Sequence, residues 1–251
     1  MKMAKVLIAS IFYTVKRPPI SVKIKKLSIN ITKFSHSWNL NRQEAVELQQ
    51  KLARQLKLNN RINLRNVKTV AGIDTHYHNG LAAAAVACLR VKDLATVEYA
   101  SAVRRVSFPY IPGLLSFREG PVVLDALDKL GSLPDVLICD GQGIAHPRRF
   151  GLACHIGLLL DKPSIGCAKT WLTGGYAEPG RDKGEYSYLR DGREVIGAVV
   201  RTRKDVKPLY VSVGHQISLQ DSIQIVIRCC RRYRLPEPLR LAHQIAGDLS
   251  K

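Results

Sequence analysis

The chain has 251 residues, 46% of them hydrophobic, with Lys+Arg 39 against Asp+Glu 20 and a formal net charge of +19. That length supports one large domain, with or without an appendage, and the charge argues for a polyanionic partner, most often nucleic acid. No stretch approaches the ~20 apolar residues of a membrane helix, and the cysteines form no CxxC pair or zinc-spaced His/Cys cluster, which excludes the usual sequence patterns of a membrane span and of a structural zinc site.

The charge is unevenly placed. Residues 1–43 hold seven lysines, two arginines and no acid, leaving +10 for residues 44–251. Residues 1–36 are assigned to a basic N-terminal extension, either a disordered leader or an over-long start. They contain the apolar run VLIASIFYTV without a small-residue cleavage site, so organelle targeting is left open and the cytoplasm is the expected compartment. Residues 37–251 are assigned to one catalytic domain. A monomer is expected, with no membrane partner.

An amphipathic helix is predicted over 41–58, with Ala45, Leu48, Leu52 and Leu56 on one stripe. Three strands follow, at 67–77, 81–91 and 96–108, separated by HNG and KDLA, and they predict an antiparallel meander. The alanine-rich middle segment has helix propensity, but its neighbours need a partner strand. A helix within 114–130 leads to a short apolar strand, DVLICD. A glycine-rich turn then precedes a helix from Pro147 to Leu160, with proline at the favoured first position. Another strand ends at Lys169. Further strands are expected at 185–189, 194–201 and 208–213, and a final helix at 218–233. The order predicts an α/β fold: a mixed sheet, a meander followed by parallel strands, with helices on both faces.

Three acids stand out. Asp74 interrupts the first strand, Asp140 ends the fourth, and Glu119 lies on the helix between. If the first and fourth strands pair in parallel, both aspartates reach the same end of the sheet, where α/β proteins build their sites. Clustered carboxylates suit a hard cation such as Mg²⁺ or Mn²⁺. Each acid also has a structural alternative: a buried acid held by amides for Asp74, a capping box with Ser116 for Glu119, a turn for Asp140. His146 and His215 are candidate metal or phosphate contacts. His155 and His243 fit structural helix positions, His76 and His78 a solvated turn, and Asp221 a cap with Ser218. Lys169, at a strand end, is either solvated or near a scissile phosphate. The stiff knuckle Pro109-Tyr110-Ile111-Pro112 carries an aromatic tip suited to pressing against another surface. Gly113 and the glycines of DGQGIAH suit a tight pocket that reads a flat ligand through backbone groups.

PYIPGLLSFREGP, DVLICDGQGIAHPRRFGLACHIGLLLDKPSIGCAK, YVSVGHQIS and AGIDTHY together resemble the motifs of the endonuclease V family, deoxyinosine-specific nucleases, and the likeness runs from about residue 38 to 250. The resemblance implies a ribonuclease H-like fold and hydrolysis of inosine-containing DNA with Mg²⁺, or alternatively Mn²⁺, at the second phosphodiester 3′ to the lesion. It leaves inosine-containing RNA as a second substrate. It implies catalytic roles for Asp74, Glu119, Asp140, His146, Lys169 and His215, and metal ligation by Asp74, Asp140, Glu119 and His215. Pro109 to Pro112 would form a wedge. Gly113, Leu115, Gly141 and Gly143 would line the base pocket. Downstream repair factors would be needed, because the damaged base stays in the strand.

Overall fold

Asn41 opens the first helix, α1 (Arg42–Ala53), with a reciprocal cap: its side chain accepts from the Glu44 amide, and Glu44 accepts from the Asn41 amide. The structure is a computed structural model that describes residues 35–60 and 62–250. Residues 1–34 of the predicted extension lie outside the described residues. His36, assigned by sequence to that extension, stacks on His155 with ring centroids 4.9 Å apart, so the folded body begins earlier than residue 37. The helix is shorter than expected, leaving Leu56 beyond it, and Gln49 is buried beside Ala45 and Leu52.

The meander forms as predicted: β1 (Thr69–His78), β2 (Leu81–Arg90) and β3 (Thr96–Arg105) pair antiparallel. Asn79 and Gly80 both take positive φ, 47° and 76°, which matches the right-handed twist a two-residue hairpin requires. The alanines of β2 have a packing reason. Ala82, Ala84 and Val86 face α2 (Leu115–Leu127), while Ala85, Ala87 and Leu89 face α5 (Glu237–Leu249). Small side chains on both faces let two helices approach one strand closely, which outweighs alanine's helix propensity.

β4 (Val136–Cys139) and β5 (Ser164–Ala168) run parallel to β1, and β8 (Leu209–His215), β7 (Glu194–Val200) and β6 (Tyr186–Asp191) continue antiparallel. The sheet order is β3-β2-β1-β4-β5-β8-β7-β6, a mixed sheet of ribonuclease H-like type. No helix among the described residues is long and apolar enough to cross a membrane.

Two helix predictions need correction. α3 spans Leu152–Leu160, so Pro147 is not its first residue. Residues 141–151 instead fold as a loop over the sheet, tied by the Ile144 amide to Val213 O and the Gly151 amide to Gly143 O. The last predicted helix, 218–233, forms as α4 (Leu219–Cys229), capped by Ser218 on the Asp221 amide as expected but ending earlier, and a further helix beyond the predicted range, α5, follows it. Pro236, which lacks an amide hydrogen, sets the boundary before α5.

α5 seats on β1 at Gly72. A Cβ there would lie 2.2 Å from the Pro238 carbonyl carbon. Gly72→Ala is expected to lower unfolding free energy by about 2 kcal/mol through overpacking. Gly175→Ala, where a Cβ meets nothing within 4 Å, should shift it by less than about 0.5 kcal/mol. Urea melts of the two variants check this contrast.

Candidate active site

The parallel register Ile73↔Cys139 sets Asp74, midway along β1, beside Asp140, just past the end of β4, and the Asp140 amide donates to Ile73 O at 2.9 Å. Glu119, one turn into α2, completes the set. All three line one open notch of about 490 Å³ together with Tyr77, His76, Lys169 and His243. Lys169, just past β5, pairs with Asp140. Tyr77 donates to Glu119 Oε1 at 3.0 Å, and the Arg118 guanidinium lies 4.6 Å from the Tyr77 ring centroid. Asp74 Oδ1 accepts from the Thr75 amide at 3.0 Å, while Oδ2 faces His243 Nδ1 at 2.6 Å.

The charges are poorly compensated. Burial, with smaller contributions from the neighbouring Asp74 and Asp140, raises the Glu119 carboxyl to about 8, against the lowering effect of the Tyr77 hydroxyl. Burial, then Asp74, raises Asp140 to about 6, with Lys169 opposing. A carboxylate cluster that resists ionisation in this way fits a divalent cation: its oxygens are hard donors, and a cation would remove the repulsion.

The capping-box alternative for Glu119 fails in the structure. Leu114 is the N-cap of α2 and makes no side-chain cap bond. Ser116 Oγ instead contacts His155 Nδ1 at 2.9 Å.

His215 is not in this notch. β8 runs antiparallel to β5, so His215 sits beside Ser164 at the start of β5, whereas Tyr210 sits beside Ala168 near the acids. At roughly 3.3 Å per residue, five residues of strand separate His215 from the acidic end. It is a buried core residue that contacts the Lys57 amide. His243, expected to be structural, lies against Asp74 instead, and His76, expected to be solvated, lies 2.9 Å from His243 Nδ1. His243 follows the buried Ala242 on a short amphipathic helix, a position where a histidine on the core-facing side would have been the signal.

A second cavity of about 420 Å³ opens beside the notch and shares Asp140 and Lys169 with it. Gly113, Leu115 and Gly141 line it, as do His146, Gln142 and Trp171. Tyr110, 74% exposed, stands at its wall, while Phe108 behind the knuckle is buried against Phe117. Gly113 has φ +78°, open to glycine and strained for other residues. Its carbonyl accepts from Gln49 Nε2, His146 Nε2 and Arg148 Nη2 at 2.9, 3.0 and 2.7 Å. His146 therefore belongs to the wall of this cavity, not to the acidic notch. Its Nδ1 accepts from the Arg148 amide, which puts the ring proton on Nε2. Gly143 does not line the cavity. A Cβ there would meet Val213 O at 2.1 Å, so this glycine permits backbone-to-backbone packing under the loop. Gln49 and Arg148 were not legible as site residues, because their partner is a backbone carbonyl distant in sequence.

Residues 50–244 match the model of the Endonuclease V family. Endonuclease V of Methanothrix thermoacetophila is 50% identical over 208 residues, covering 83% of this chain and 92% of that protein. The crystal structure of endonuclease V from Streptomyces avermitilis superposes with a TM-score of 0.81 at 39% identity, covering 85% of this chain and 94% of that one. Endonuclease V of Ciona intestinalis, solved with a 23mer DNA containing an inosine followed by a ribo-adenosine, superposes with a TM-score of 0.73 at 26% identity, over 84% and 98% of the two chains.

Burial and then the Arg148 charge lower the His146 imidazole to about 4, below its ordinary value near 6.5. A lowered folded value stabilises the fold above the unfolded value and loses that contribution as pH falls from about 6.5 to 4, a change on the order of 3 kcal/mol. His146→Gln, which cannot titrate, is expected to show a shallower loss of stability over that window than the unmodified chain. Urea melts at pH 7 and pH 4.5 measure the difference.

Proposed function

The chain belongs to the endonuclease V family, and from that premise we propose that it is a metal-dependent endonuclease that cuts inosine-containing DNA. The bond cut is the second phosphodiester 3′ to the deaminated base, and the products carry a 3′-hydroxyl and a 5′-phosphate. The observation that carries this reading is the junction of the two cavities. One is enclosed enough for a single base, the other is acidic, and Asp140 and Lys169 belong to both. A strand whose base occupies the first must pass its backbone across the second.

In this reading Tyr110, between Pro109 and Pro112, enters the gap left by the extruded base and offsets the lost stacking. The knuckle is stiff, so little entropy is lost when it inserts. Gly113 and Gly141 bring backbone close to the base without side-chain obstruction. The neutral His146, with Gln49 and Arg148, fixes the Gly113 carbonyl in place. Lys169 presents a cationic group to the backbone phosphate and orients Asp140. Asp74, Asp140 and Glu119 would hold Mg²⁺ or Mn²⁺, which supplies charge neutralisation and Lewis-acid stabilisation of the phosphoryl oxygens when bound. Tyr77 keeps Glu119 aimed into the notch. The excess of basic side chains elsewhere suits the rest of the duplex. Because the product strand still contains inosine, other repair activities must remove it.

The Ciona intestinalis relative was solved on a strand with a ribonucleotide after the inosine. That likeness supports a second reading, an inosine-directed activity that accepts RNA.

Labelled strands with and without one inosine, in DNA, in RNA and with a single ribonucleotide after the inosine, separate these readings. A Mg²⁺-dependent nick only in inosine strands, abolished by EDTA, is expected. Equal cutting of plain strands would discard the base cavity's role, and tight binding without any cutting would replace the nuclease reading with a binding one. Asp140→Asn should lower cleavage by about 100-fold or more while leaving binding to inosine strands in place. Tyr110→Ala should raise KM for inosine duplex by about 10-fold with a smaller change in kcat, since one aromatic–base stack is worth roughly 1–3 kcal/mol.

A further inference from the structure

Just beyond β5 the chain places two large apolar side chains where water reaches them: Trp171 and Leu172 are 54% and 42% exposed. Single exposed apolar residues are ordinary, but this pair lines the base-sized cavity, and the tryptophan is anchored there. We propose that the Trp171 indole is the stacking face for the base that enters this cavity, an aromatic contact separate from that of Tyr110. The proposal rests on the reading of the chain as an inosine-directed nuclease and deepens it by giving the extruded base a side-chain partner.

The indole is held before any ligand arrives. Its Nε1 donates to Gly174 O at 2.8 Å. Gly174 has φ +87°, and the next residue, Gly175, exchanges hydrogen bonds with Arg190 of β6 at 2.7 and 2.9 Å. A Cβ on Gly174 would lie 2.7 Å from Arg190 O, so this turn packs directly on the strand. On the other flank, the Thr170 carbonyl accepts from Gln142 Nε2 at 3.1 Å, which ties the segment to the residue after Gly141.

Two consequences follow from the anchoring. The indole has one N–H, and the backbone takes it, so only the π-faces remain to offer a ligand. A side chain already fixed on both flanks also loses little freedom when a flat group covers it.

The other aromatic groups of the cavity are already engaged. Phe150 is fully buried and packs against His155 with centroids 5.2 Å apart. His146 is buried and holds the Gly113 carbonyl. Tyr110 belongs to the stiff knuckle. That leaves Trp171 as the aromatic surface that a base inside the cavity can cover. Lys169, two residues earlier, belongs to both cavities, so one short segment would meet the base and its backbone. Stacking accepts any base, because every base has a π-face. Trp171 therefore supplies affinity, and the choice of base stays with the backbone groups around Gly113 and Gly141.

Tryptophan fluorescence reports this contact, because the chain has two tryptophans and the other, Trp38, packs against Gly120 and Phe117. Single strands carrying one inosine, titrated in EDTA so that none is cut, should quench the unmodified chain and leave Trp171→Phe almost unquenched. Trp171→Ala should weaken binding of the inosine strand by about 10-fold, and Trp171→Phe, which keeps a π-face, by about threefold or less. On a strand with an abasic sugar in place of the inosine, Trp171→Ala should cost less than about twofold, since no base is left to stack. An equal loss on the abasic strand, quenching that survives in Trp171→Phe, or unchanged inosine affinity in Trp171→Ala would overturn the proposal. Quenching that needs both Trp171 and the base, in a chain that makes no Mg²⁺-dependent nick, would support the contact and reject the nuclease reading. Nicking of inosine strands without such quenching would do the reverse.

Discussion

The parallel pairing of β1 with β4 is the constraint on which the rest of the molecule depends. It sets two aspartates side by side, one within β1 and one just past β4, and α2 then delivers a third carboxylate to the same place. Burial first, and then the mutual repulsion of the neighbouring carboxylates, raises the proton affinity of Glu119 and Asp140. Lys169 answers only Asp140, and Tyr77 answers only Glu119. The fold therefore carries a local electrostatic strain that its own side chains only partly relieve, as is common where stability is traded for a site.

A second order is imposed on the base-sized cavity, and its chemistry is opposite. Apart from Asp140 the groups there are neutral or cationic, and three donors converge on the carbonyl of Gly113. Burial keeps His146 neutral, with its proton directed at that carbonyl. One of those donors, Gln49, comes from α1, 64 residues from Gly113 in sequence, and it also bonds Phe150 O. Three donors on one carbonyl use up its accepting capacity and fix the backbone at Gly113 in place. The two cavities meet at Asp140 and Lys169; under the proposed function this junction would couple recognition of the base to positioning of the phosphate.

Much of this was legible in the sequence because it follows from local rules. The turn-like breaks HNG and KDLA between strand-like segments gave the meander, and the isolated acids at the ends of apolar runs their place at one edge. What failed depended on packing between distant segments. His215 follows a strand just as Asp140 does, but β8 is antiparallel, and direction cannot be read from one strand. Pro147 looked like a helix start, yet the glycines around it allow a loop to lie flat on the sheet. The Ser116–Glu119 spacing matched a cap, but the hydroxyl found the buried His155 instead. His243 and His76 were set aside because nothing near either in sequence shows that α5 docks on β1. Gly72 was the available clue: a glycine inside a strand marks a close approach, and here the approaching backbone is that of Pro238.

If carboxylate repulsion relieved by a cation is the organising feature, stability and metal response must trade against each other at one residue. Thermal melts of the unmodified chain and of Glu119→Gln, each in EDTA and in Mg²⁺ at pH 8.5, test this most directly. A carboxyl whose folded value is raised to about 8 destabilises the fold progressively above its unfolded value near 4.5, and that loss is nearly complete at pH 8.5. The account expects Glu119→Gln to melt higher than the unmodified chain in EDTA and to gain little from Mg²⁺, while the unmodified chain gains several degrees. A variant that melts lower in EDTA and gains as much from Mg²⁺ would contradict it.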